Sequence, residues 1–193
     1  MEGGRNVDST VSRFIRYAEC ASESHNEKEF CEYMEQELAG MGIPFERQEL
    51  GNEVVTDGWN ILARIPGRSG KKPFLFVFHL DTAAPSNQVE VCVEGGCIRS
   101  KGSSVLGADG KLAIAVVMEA VERLMQEGEI NRPIELLFTV CQELGLHGAK
   151  YADYSRIESE EAIVIDHYVT GEVLTRTPAR LYMNVELIGR AAH

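Results

Sequence analysis

The chain has 193 residues, 44% apolar and 25% charged, and a formal net charge of −11 at neutral pH. Such a length lets one domain bury a sizeable core, and the composition is that of an ordinary globular protein. The acidic balance argues against a nucleic-acid partner, which calls for clustered Lys and Arg, and no apolar run approaches the roughly 18 residues that span a membrane.

In chain order, Val7, Val11, Phe14, Ile15 and Ala18 share one face of a predicted helix. Asn26, with Glu29 three residues on, resembles a capping box, and Phe30, Met34 and Leu38 form the stripe that follows. Phe45–Leu50 and Asn60–Ile65 read as strands, and Lys72–Phe78 as a strand covered on both faces. Val91–Val93 and Ile98–Ser100 flank Glu94-Gly95-Gly96 as a hairpin. Lys111–Gln126 is the strongest helix, with Ile114, Val117, Val121 and Leu124 inward. Pro133–Val140 is a buried strand, with a short helix near Gly148–Tyr154 and a further strand at Ala162–Ile165. Alternating helices and buried strands predict an α/β fold, a three-layer α/β/α sandwich around a mixed, mostly parallel sheet.

Thr177-Pro178-Ala179 reads as a boundary. Residues 1–179 would be one unit, and 180–193 the first strand of another, at Leu181–Ile188, so the chain is expected to break off there. The five cysteines (Cys20, Cys31, Cys92, Cys97, Cys141) show no CxxC pairing, and Met1–Asp8 lacks an apolar signal region. Both features predict reduced thiols and a cytoplasmic location.

The chemistry-bearing residues gather at strand ends: His79-Leu-Asp81, Gly107-Ala-Asp109, Gln142-Glu143 and Asp166. In open α/β sheets, ligands bind outside the carboxyl ends of the strands. His79 and Asp81, two apart on an extended segment, face the same way, so the carboxylate can orient the imidazole for a metal. Each residue also has an ordinary reading: a capped strand-end histidine, an Asp109 helix cap, a plain strand-end acid at 166. Together, in this order, they point to one metal site.

These stretches resemble the peptidase T, glutamate carboxypeptidase and acetylornithine deacetylase family of dinuclear zinc hydrolases, most of all its peptidase T-like branch. The resemblance lies in Phe78-His-Leu-Asp-Thr82, Val105-Leu-Gly-Ala-Asp109, Leu137-Phe-Thr-Val140, Glu143-Leu-Gly-Leu146 and Gly148-Ala-Lys150, and continues through Asp166, Arg176-Thr-Pro-Ala179 and Ile188-Gly-Arg-Ala-Ala-His193. It implies two zinc ions, with His79 and Asp166 on one, Glu143 on the other and Asp109 bridging. Asp81 would orient His79, and His193 would be the lid histidine that reaches a partner's site. The implied reaction is hydrolysis of short peptides, of the tripeptide aminopeptidase type, through a metal-bridged water. The family's dimers form through the lid, and its peptide bond after the bridging aspartate (here Asp109-Gly110) is often cis. The family's general base falls on Gln142, whose amide cannot accept a proton at neutral pH. Turnover is therefore expected to be impaired, and a non-catalytic metal- or peptide-binding module is the alternative.

Overall fold

The apolar periodicity before Ala18 folds as helix α1 (Gly3–Glu19), which buries Phe14, Tyr17 and Ala18. The computed structural model describes residues 3–179, 181, 183 and 185–190, with side chains from Ser9 onward. Helix α2 (Lys28–Gly40) buries Phe30, Met34 and Leu38, as their spacing requires. Its start differs from the expected capping box. Glu27 is the N-cap residue and makes no side-chain cap, and the Lys28 N–H donates instead to Asp57 at 3.0 Å. The Glu27 carboxylate is drawn into the core, where it accepts from the Cys141 N–H at 3.0 Å and from the Thr56 hydroxyl.

Strands β1 (Phe45–Gln48), β2 (Asn60–Ile65) and β3 (Phe74–His79) are followed by the hairpin β4 (Val91–Glu94) and β5 (Cys97–Ser100). Gly95 and Gly96, at φ +57° and +76°, make the hairpin turn that a residue with a side chain would resist. Helix α3 (Ala108–Glu127), strand β6 (Ile134–Thr139), the short helix α4 (His147–Lys150) and strand β7 (Glu161–Val164) complete the fold. The main sheet has the order β1-β2-β6-β3-β7. Strand β2 is antiparallel to both neighbours, and the β6–β3 and β3–β7 pairs are parallel, so every strand but β2 points the same way.

One sheet face carries Ile61, Ala63, Phe78, Leu136 and Phe138 and packs with residues of α1, α2 and α3 into the main core. The Phe78 and Phe138 rings stack at 5.4 Å, and burying a side chain of this kind contributes about 1.5–3 kcal/mol. The other face holds a smaller cluster of Leu62, Leu75 and Leu137 beside Val77 and Ile157. Polar ties hold α4 and the segment before β7 against the sheet. The Asn60 amide donates to the Gly148 carbonyl at 2.8 Å, and the buried Glu135 accepts from the Ser159 hydroxyl at 2.5 Å.

Helix α3 buries Ile114, Val117, Met118 and Val121. Leu124, expected inward, is partly exposed near the helix end. The described residues of 181–190 form no strand and are exposed, with Leu187 at 92%. Residues 180, 182, 184 and 191–193 lie outside the described residues, and His193 is among them. Among the described residues no helix is long and apolar enough to cross a membrane.

Candidate metal centre

The parallel register explains why the distant acids meet. Val77 pairs with Val164 at the end of β7, so His79, the last residue of β3, and Asp166, two residues past β7, emerge at the same rim. His79 also pairs with Thr139, which brings Gln142 and Glu143 to the same rim just beyond β6. Helix α3 starts beside them.

Asp109 does not cap that helix. It sits inside the first turn at φ −65° and ψ 120°, followed by Gly110 at φ +72°, and the break aims its carboxylate back toward β3. A Cβ on Gly110 would lie 2.7 Å from the His79 carbonyl oxygen and 2.8 Å from its Nε2, so only glycine fits. The one cis peptide bond among the described residues is Ala84–Pro85, so the Asp109–Gly110 bond is trans, contrary to expectation. The positive φ of Gly110 makes the sharp turn instead.

His79 is 4% exposed and Asp81 0%. The imidazole bridges two carboxylates, with Nδ1 3.3 Å from Asp81 Oδ1 and Nε2 3.1 Å from Asp109 Oδ1. Asp81 also accepts from the Ser24 hydroxyl at 2.6 Å, the Gln142 N–H at 2.9 Å and the Glu143 N–H at 3.1 Å. Burial alone would push the Asp81 carboxyl up, but these hydrogen bonds outweigh it and hold the group below its ordinary value. Burial likewise works to lower His79, but its contacts with Asp81 and Asp109 prevail and raise it to about 9.

The rim is open. The Asp109 side chain is 66% exposed, and Asp166 and Glu143 also face solvent. Both of the latter are raised, first by partial burial and then by the neighbouring charge of Asp109. His79, Asp109 and Asp166 each present one ligand atom, all within 4.8 Å of one another. Glu143 stays outside that tight group but within electrostatic reach of it. Gln142 points its amide at the cluster, donating from Nε2 to Asp166 Oδ2 at 3.0 Å. A cleft of about 690 Å³ opens beside Asp109 and Asp166, walled by Leu112, Val116, Ile165 and Tyr168.

The donor set suits a divalent cation of the zinc type. It combines one imidazole, its tautomer set by Asp81, with carboxylates that have no Lys or Arg ion-pair partner among the described residues. His167 does not join it; its ring pairs with Glu172 at 3.1 Å and packs on Tyr168.

Ser24 and Lys111 carried no signal in the sequence. Ser24 reaches Asp81 because residues 22–24 run beside Thr82 as a short extra bridge. Lys111 is buried behind the start of α3, donating from Nζ to the Cys20 carbonyl at 2.6 Å, and burial lowers it to about 8.

Comparison with known proteins gives the chain a family. The sequence profile of peptidase family M28 matches residues 60–192. An uncharacterised protein of Bacillus subtilis, YqjE, is 26% identical over 97% of this chain and 51% of its own length. A peptidase T-like protein of Yersinia pestis is 38% identical over 50% of this chain and 23% of its own. The crystal structure of aminopeptidase PepT from Bacillus cereus superposes with a TM-score of 0.80 at 27% identity, covering 83% of this chain and 43% of that one. The chain thus spans about half the length, or less, of the relatives it matches.

Proposed function

The chain belongs to peptidase family M28 and is similar to peptidase T-like proteins, and on that premise we propose that it is the metal-binding half of a zinc-dependent exopeptidase acting on short peptides. The observation that carries this reading is the convergence of His79, Asp109 and Asp166 within 4.8 Å over the buried Asp81. His79, Asp109 and Asp166 would hold one cation, and Asp109 with Glu143 a second. Bound there, the cations supply Lewis acidity toward a peptide carbonyl and a water.

The chain's own residues do the rest. Asp81 keeps the proton on Nδ1 of His79, so that Nε2 turns its lone pair to the site once it sheds its own proton. The Gln142 and Glu143 N–H groups, fixed on Asp81, hold the rim at a constant height. Leu112, Val116 and Tyr168 offer apolar surface to a peptide side chain in the adjoining cleft. Proton transfer is the weak step. Gln142 stands where the resemblance places the general base, and its amide donates to Asp166 instead of receiving a proton. That hydrogen bond favours a second reading, a module that holds cations and peptides without turnover.

Residues 180–193 would begin a lid through which two copies associate, with His193 reaching the partner's site. The cytoplasm would be its compartment, in keeping with five free cysteines.

Equilibrium dialysis against zinc, after mild chelation, tests the proposal. The chain should retain zinc and lose it on Asp109→Ala; absence of zinc in the parent would overturn the metal reading. With zinc retained, Gln142→Glu within a full-length version should raise cleavage of tripeptides by about 10²–10⁴. Zinc retention without any gain in cleavage leaves the binding module.

A further inference from the structure

Gln142 does more than lack a base. Asp166 lies two residues beyond β7, an edge strand whose only partner among the described residues is β3, over four residue pairs. It is exposed, as are Val164 and Ile165 before it and Tyr168 after it. Its carboxylate stands among the like charges of Asp109 and Glu143, sharing a hydrogen bond with Asp109 and drawn only in part toward His79. Little in that segment would keep an acid pressed against its own kind.

Gln142 is built to do so. Its backbone is fixed at both ends of the residue: the N–H donates to Asp81 at 2.9 Å, and the carbonyl accepts from Gly145 at 3.1 Å and Leu146 at 2.9 Å. From that base its side-chain N–H reaches Asp166 Oδ2 at 3.0 Å. An ionised glutamate at the same place would offer only acceptors and add a further negative charge.

We infer that Gln142 is a positioning residue that latches Asp166 into the cation site, so that the amide which removes the base strengthens the hold on the metal. The inference rests on the metal reading above but has one consequence that needs no metal. Residues that hydrogen-bond to a metal's ligands are commonly worth 10–100-fold in affinity. Loss of a hydrogen bond to a charged group is expected to raise about tenfold how often the segment opens.

The test uses the whole chain with zinc as the probe, in the parent, Gln142→Ala and Gln142→Glu. Zinc affinity is measured by competition with a chromogenic chelator, and amide hydrogen exchange at residues 165–168 is measured in metal-free protein. Gln142→Ala should weaken zinc about tenfold or more while leaving the thermal midpoint unchanged. Exchange at 165–168 should rise about tenfold in both variants and stay constant at 79–81. Parent-like zinc affinity in the alanine variant overturns the latch, and so does unchanged exchange in both variants. If the parent binds no zinc, the metal reading fails, and the exchange result alone decides whether Gln142 holds Asp166.

Discussion

His79 and Asp81 lie at 4% and 0% exposure, on and just past a central strand, and Asp81 accepts from a hydroxyl, two backbone amides and the imidazole. A few ångströms away, Asp109, Glu143 and Asp166 sit on a helix start and two loops, open to water and mutually repelling. The floor of the site is thus part of the fold, made by the same hydrogen bonds that order the rim backbone. The rim acids repel one another, and His79 offsets that only in part until a cation comes between them. Stability and metal binding should therefore separate along that boundary.

Asp81→Ala strikes the floor and should have the largest effect. It strands a buried imidazole and two part-buried backbone amides, so unfolding measured by denaturant should show a loss of about 3–5 kcal/mol, together with weakened zinc binding. Gly110→Ala forces a Cβ to 2.7 Å from the His79 carbonyl oxygen at φ +72°; it should cost about 1–3 kcal/mol and also weaken zinc. Asp109→Asn strikes the rim alone. It should leave stability within about 0.5 kcal/mol of the parent while abolishing zinc retention. If it destabilises the chain as much as Asp81→Ala, the boundary between floor and rim is wrong.

The smallest effect is a slope. Lys111 is lowered from 10.5 to about 8 in the folded chain, because burial disfavours its charge. Between those values the unfolded chain binds more protons than the folded one, so this group adds stability as pH rises from about 8 to 10.5. Lys111→Met removes that contribution. The difference in unfolding free energy, parent minus variant, should increase across this window; parallel curves would contradict the buried-amine account.

What the sequence disclosed follows the same division. Strands β2, β3 and β6 and helix α3 were legible because their apolar runs fill the core on regular periods, and the acids at their ends were legible because parallel strands share a rim. The start of α2 was misread because the cap pattern at Asn26 and Glu29 is local, while the Glu27 carboxylate is drawn to Cys141, 114 residues away. Leu124 was placed inward by a period that the end of α3 no longer enforces. The Asp109–Gly110 bond was expected cis by resemblance, but the glycine at 110 lets a trans bond make the turn. The Ser24 and Lys111 contacts bridge 57 and 91 residues, so no local spacing announces them.

The account turns on a cation shared by His79, Asp109 and Asp166. Anomalous diffraction at the zinc absorption edge, from crystals grown with zinc, tests this most directly. The account predicts a peak within bonding distance of His79 Nε2 and the carboxylates of Asp109 and Asp166. A peak only elsewhere, or none at all with these side chains left in contact as they stand, would contradict it.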